Sequence, residues 1–175
     1  MRSNVIKHTL TDDGTFPNNA DLPLLVYPGA LPLPEQDPAS AFESKFRENG
    51  WGGSWRDGIY SYHHYHSTAH EVLGVYRGMA RVQLGGDERV TLTVEPGDVI
   101  VIPAGVAHKN LGSSRDFGVV GAYPAGQQWD MNYGKAGERP EADENIAQVP
   151  LPEQDPVFGS DGPLVRSWLK KPSGR

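Results

Sequence analysis

His63-His64-Tyr65-His66-Ser67-Thr68-Ala69-His70-Glu71-Val72-Leu73-Gly74-Val75 carries four of the six histidines in the chain and runs directly into an apolar stretch. In an extended strand alternate side chains share a face, so His64 and His66 project together from backbone positions about 7 Å apart. Two imidazoles at that separation can converge on one ion. Glu71 follows at turn distance and opens the next β-like run, which brings its carboxylate within reach of the same point. A distant donor, His108, lies just past the corner Pro103-Ala104-Gly105. One isolated histidine is ordinarily satisfied by hydrogen bonds on a surface or in a core. A strand-spaced pair, a carboxylate and a further histidine behind a turn point instead to a metal site with ligands His64, His66, Glu71 and His108.

The chain has no cysteine, which removes disulfides, thiolate ligands and a cysteine nucleophile and leaves nitrogen and oxygen donors only. Three imidazoles and one carboxylate suit one divalent transition-metal ion, Zn, Mn, Fe, Ni or Co, and donor type does not choose among them. By alternation His63 and Tyr65 face away from the pair, toward an outer-face contact or a subunit interface. His70 is placed as a hydrogen-bond support to a ligand or as a substitute ligand. Tyr62 shares parity with His64 and is assigned to the pocket. Trp51, Trp55 and Tyr60 read as core or interface in preference to a substrate box.

Outward from this segment, β-like runs recur at about 55–65, 71–77, 79–84, 89–94, 98–102, 106–110 and 117–123, separated by Gly, Pro, Asp and Ser turns. Leu24 to Tyr27 adds an edge strand. Short, evenly spaced strands indicate an antiparallel sandwich or closed barrel. The sequence divides into an N-terminal extension over 1–50, a barrel core over 51–123 and a Pro- and Gly-rich extension over 124–175. The first extension holds one helix, with Asp37 as N-cap, Pro38 in its first turn, Phe42 and Phe46 four apart and Gly50 closing it; Glu43 and Arg47 form an exposed pair. The last holds a short helix near Pro140 to Ala147, and Leu164 and Trp168 dock its end on the barrel. Pro-Leu-Pro-Glu-Gln-Asp-Pro occurs twice, at 32–38 and 150–156, and reads as a reused turn sequence.

With these motifs in place the sequence resembles the cupins, a family of jelly-roll barrels with a metal inside. Gly58, His64, His66, Glu71 and Gly78 meet every spacing of the first family motif, and Gly97, Pro103, Gly105 and His108 fall in the second. Gly112 stands where that motif ends in asparagine, and Asn110 is the nearest asparagine. The segment is also similar to a group of bacterial single-domain cupins of uncharacterised function. The resemblance implies an all-β, double-stranded β-helix (jelly-roll) barrel, with a short N-terminal helix and an extended C-terminal tail, and a homodimer paired through an edge strand.

Net charge is −6 over 175 residues and no Lys/Arg block occurs, so the electrostatic footprint of a nucleic-acid partner is missing and a small-molecule ligand is expected. No signal-like start and no apolar run of membrane-spanning length occur, which gives no membrane partner and a cytoplasmic default. Four protein donors on an ion that prefers six leave positions for water, oxygen or a substrate. Leu73, Val75, Ala80, Val82 and Ile102 are expected to form an apolar sleeve around it. The expected function is a small-molecule metalloenzyme, with oxygenation first and isomerisation or decarboxylation next; the alternative is a non-catalytic ligand-binding or sensing cupin.

Overall fold

Alternation in the strand Glu71–Arg77 sends Glu71, Leu73 and Val75 to one side and Val72 and Gly74 to the other, and all five are buried. Both faces of the sheet carrying this strand are therefore covered. The structure is a computed structural model describing residues 4–169. Its strands are β1 Ile6–Leu10, β2 Asn19–Tyr27, β3 Trp51–Asp57, β4 Glu71–Arg77, β5 Ala80–Leu84, β6 Val90–Val94, β7 Val99–Ile102, β8 His108–Ser113 and β9 Gly118–Pro124. They form two antiparallel sheets, one ordered β1-β2-β7-β4-β9-β3 and one ordered β6-β5-β8. This is an all-β jelly roll. The expected sleeve residues, Leu73, Val75, Ala80, Val82 and Ile102, all belong to the core between the sheets.

A second core lies on the outer face of the six-stranded sheet. There Leu25, Val72, Val99, Val101, Val120 and Ala122 meet helix α1 (Pro38–Glu48) and the C-terminal segment. Gly74 is the contact point for α1, because a Cβ there would stand 2.5 Å from the Phe42 ring. The C-terminal segment is tied to this face by Asp155, which is fully buried and accepts the Tyr27 hydroxyl and the backbone N–H groups of Val157, Phe158 and Leu164. Trp168, in a terminal π-helical turn over Val165–Leu169, is 1% exposed and donates its indole N–H to the Pro23 carbonyl.

Several local expectations are revised. The run read as 55–65 stops at Asp57, and the backbone leaves strand geometry over 58–63 before His64 and Tyr65 pair again as isolated bridges. Leu24 to Tyr27 belongs to a longer strand that is interior, because Ile6–Leu10 supplies the edge; exposed Lys7 and half-buried His8 obscure its alternation in the sequence. Asp37 occupies the N-cap position in a left-handed conformation without a side-chain cap, and its carboxylate faces Arg56 at 3.2 Å. Glu43 pairs with Arg56 across to β3 (2.7 and 2.8 Å) and not with Arg47 along the helix. The second helix, α2, spans Glu141–Gln148. The two heptapeptides play different roles, since Asp37 is exposed at a helix start while Asp155 is a buried hub.

Gly112, at the departure from the family motif, lies beside a bulge where β5 and β8 shift register, and its N–H is held by the Asn110 side chain at 2.8 Å. The asparagine two residues early thus stabilises this stretch locally.

Phe42 is fully buried against Gly74 and Phe46, so Phe42→Ala leaves a cavity that the rigid sheet cannot fill. Unfolding in urea followed by fluorescence is expected to show a loss of about 3–5 kcal/mol.

Candidate metal centre

The four expected ligands meet at one end of the barrel interior. Glu71 opens β4 and His108 opens β8, while His64 is held beside His108 by reciprocal backbone hydrogen bonds (His64 N–H to the His108 carbonyl, 3.2 Å; His108 N–H to the His64 carbonyl, 2.9 Å). The His66 carbonyl accepts the Gly105 N–H at 2.8 Å, which ties that segment to the Pro103-Ala104-Gly105 corner. Gly105 is required there: φ is +96°, and a Cβ would lie 2.3 Å from the Asn18 carbonyl oxygen. Asn18 in turn donates to the Gly85 carbonyl and accepts the Ala107 N–H, so the N-terminal extension braces the turn that delivers His108.

The ligand nitrogens of His64, His66 and His108 all lie within 4.8 Å of one another, and the three rings are buried. Each Nδ1 is occupied by a backbone carbonyl: that of Tyr62 for His64 (3.2 Å), Asp130 for His66 (2.5 Å) and Val106 for His108 (3.1 Å). A carbonyl only accepts, so each Nδ1 carries the proton and each neutral ring turns an Nε2 lone pair inward. Glu71 Oε1 stands 3.4 Å from His66 Nε2 and 3.2 Å from His108 Nε2, is buried, and makes no hydrogen bond. Lone pairs face lone pairs across this gap. An arrangement of that kind repels itself unless a cation lies between, and donors of nitrogen and carboxylate oxygen fit a divalent transition-metal ion. The other oxygen, Oε2, accepts the Tyr123 hydroxyl at 3.1 Å, and Tyr123 itself accepts the Trp55 indole N–H at 2.7 Å.

Electrostatics point the same way. Burial, reinforced by the neighbouring His108, holds His64 down to about 3. For His66 burial opposes protonation, but the facing Glu71 carboxylate more than offsets it and raises the imidazole above its ordinary value. Burial pushes Glu71 up, and His66 and His108 outweigh it, leaving the carboxyl below the usual range. Without an ion, a proton on His66 is thus the nearest available counter-charge for Glu71.

Above the donors opens a cavity of about 360 Å³, lined among others by Trp55, Ile59, Leu73, Tyr123, Trp129 and Met131. Of the sleeve residues expected from sequence, only Leu73 reaches it. Trp55 and Tyr60 line it, where a core or interface role was expected, while Trp51 is buried in the outer core. Tyr62 does not: its ring is half-exposed and stacked on Tyr60 (5.0 Å), and only its carbonyl serves the site. Strand parity fails for it because 58–63 is not a strand. His70 lies on the opposite side of the sheet from Glu71, its Nδ1 accepting the Ala104 N–H (2.9 Å) and its ring against Trp168 (4.9 Å), which removes it as a ligand. His63 faces outward to Asp87, and Tyr65 packs on Phe16 and donates to Glu138, so both touch the chain's own loops and extensions.

Tyr123 could have been found from sequence, since it continues the inward parity of Val119 and Gly121 in β9. Trp129, Asp130 and Met131 could not, because they come from the extension and carry no motif. Asp130 matters most of these. Its carbonyl orients His66, and its carboxylate accepts both the N–H and the hydroxyl of Ser67 (2.6 and 2.5 Å).

A family model described as Cupin domain matches residues 56–114. The "Uncharacterized protein YjlB" of Bacillus subtilis (strain 168) is 47% identical over 159 residues, covering 91% of this chain and 93% of its own length. Among solved structures, an acireductone dioxygenase from Bacillus anthracis with a cadmium ion in its active centre matches with a TM-score of 0.46 and 16% identity, over 63% of this chain and 83% of that one. A DUF861-family protein from Thermotoga maritima matches with a TM-score of 0.31 and 19% identity, over 53% of this chain and 94% of that one.

Two outcomes are expected from this geometry. Tyr123→Phe frees Glu71 Oε2 and should weaken binding of a divalent ion by about 10–100-fold in a chelator competition. Between pH 5 and 8 that affinity should fall as the pH drops below the raised His66 value, because the proton on His66 must leave as the ion enters. His64, down at about 3, adds no competition in that range; an affinity that does not change between pH 8 and 5 would contradict this.

Proposed function

The chain belongs to the cupin family, and from that premise we propose that it is a metal-dependent cupin in which His64, His66, Glu71 and His108 hold one divalent transition-metal ion. We further propose that it acts on a small molecule as a metalloenzyme, with oxygenation the leading reaction class and isomerisation or decarboxylation next. The observation that carries the reading is Glu71 Oε1, a buried carboxylate oxygen without a hydrogen bond, facing two imidazole lone pairs. A bound ion of this group supplies Lewis-acid polarisation of an oxygen donor and, for a redox-active metal, the electrons for dioxygen chemistry.

The protein's own residues supply the setting. The Nδ1 contacts fix the imidazoles before any ion arrives, so little reorganisation accompanies binding. Trp55, Ile59 and Leu73 give an apolar wall that keeps water sparse and strengthens electrostatic interactions at the donors. Tyr123 holds one carboxylate oxygen and leaves the other for the ion.

A non-catalytic ligand-binding or sensing cupin is the second reading, and one observation favours it. Apart from the four proposed ligands, the titratable groups lining the cavity are Arg56, Asp57, Tyr60 and Tyr123. Arg56 is paired with Glu43 and Tyr123 is engaged on both sides, so few groups are free to move protons.

Protein purified without chelator is expected to carry close to one transition-metal ion per chain by elemental analysis. His64→Ala and His108→Ala should each lose it while keeping the β-type circular dichroism of the parent. Oxygen-electrode assays of the metal-loaded protein with small organic acids and diols separate the two readings, because binding without turnover of any candidate supports the second. Full metal content in both variants would sink the site.

A further inference from the structure

Resting on this metal reading, we propose that the cavity takes a flat, conjugated small molecule that presents one oxygen-donor head to the ion and carries no second anionic group.

Charge comes first. Among the described residues the only cationic side chain lining the cavity besides the histidines is Arg56, and its guanidinium is spent on Glu43 at 2.7 and 2.8 Å and on Asp37 at 3.2 Å, near the end of β3. A ligand with a second carboxylate, or with a phosphate, would place that charge against apolar walls and the Asp57 carboxylate without a partner. Hydroxyl-rich ligands fare no better. The Trp55 indole N–H and the Tyr123 hydroxyl are bonded to each other and to Glu71, and the three Nδ1 positions are taken by carbonyls. A polyol would exchange water for walls that return few hydrogen bonds.

Shape and aromatic lining come second. At about 360 Å³ the cavity is near the lower end of the usual range for ligand pockets, about 300–1,000 Å³, and room for one or two rings beyond the ion is what it offers. Trp129 stands at its mouth, 48% exposed, inclined 26° to the Tyr123 ring at 6.4 Å and 5.6 Å from the His66 ring. A large, half-exposed indole beside a cavity with aromatic and aliphatic walls is a surface that a ligand can cover, and a planar apolar face recovers the most from covering it. Met131, also on the wall, is a side chain that adapts to a ring without imposing a polar requirement.

The test uses the full chain loaded with one zinc ion, titrated calorimetrically with 4-nitrocatechol, with 3,4-dihydroxybenzoate, which has a similar ring and an added carboxylate, and with oxalate, which chelates without a ring. The expected order places 4-nitrocatechol about tenfold or more tighter than either other probe. Trp129→Ala should weaken 4-nitrocatechol by about tenfold and oxalate by less than about twofold, and Trp129→Phe should recover most of the loss. Zinc content is measured on the same samples. Ion retained with oxalate or 3,4-dihydroxybenzoate binding best, or with equal losses for all probes in Trp129→Ala, overturns the ligand class and leaves the metal reading standing. No ion bound by the parent protein overturns both.

Discussion

A carboxylate that is 2% exposed, at the first residue of a central strand, is the constraint around which the rest is arranged. Removing such a group from water costs several kcal/mol even after the surroundings relax, so it persists only where positive charge or hydrogen bonds meet both of its oxygens. Tyr123 meets Oε2. Among the described residues no donor is hydrogen-bonded to Oε1, and with both rings neutral the two nearest nitrogens turn lone pairs toward it. Backbone carbonyls fix those lone pairs, and β7 and β9, hydrogen-bonded to either side of β4, fix the carboxylate. The facing of these donors is therefore supported by main-chain contacts at each imidazole.

That geometry is maintained from both faces of the six-stranded sheet. Inside, β4, β7 and β9 pack on the three-stranded sheet. Outside, Phe42 seats on Gly74, and Asp155 and Trp168 pin the C-terminal segment over β2 and His70. The same C-terminal extension has earlier passed the open end of the barrel, where Asp130 orients His66 and holds Ser67. The extension thus both covers the outer face and sets one imidazole inside.

Much of this was legible in the chain because the donors sit on elements with a strict period or beside a stiff corner. Glu71 begins an unbroken strand, His108 follows a proline-glycine turn, and the His64/His66 spacing survives because both residues pair with neighbouring segments although no long strand contains them. Where the backbone abandons strand geometry, parity stops being informative, and Tyr62, assigned inward, lies outside. His70 could not be placed without knowing that Trp168 covers the opposite face. Asp37 shows a different limit: a residue suited to capping occupies the cap position, yet an arginine from another element takes its carboxylate. Trp129 and Asp130 act through contacts more than sixty residues away in sequence, a separation that no local pattern encodes.

The cavity joins packing to chemistry through one missing side chain. Trp55 of β3 sits opposite Gly121 of β9, and a Cβ at 121 would lie 2.2 Å from the indole. The glycine lets the indole lie flat across β9, where its N–H reaches the Tyr123 hydroxyl and so lets that hydroxyl point its own proton at Glu71. Hydroxyl orientation is the weak link in any such support, since a phenol can rotate its proton away; a donor on the far side removes that freedom. The wall made by Trp55 and Tyr123 is consequently already satisfied, whereas Trp129, stacked beside Tyr123, and Met131 reach the cavity from the extension. The division between a satisfied wall and an exposed indole follows from which residues come from paired strands and which from the tail.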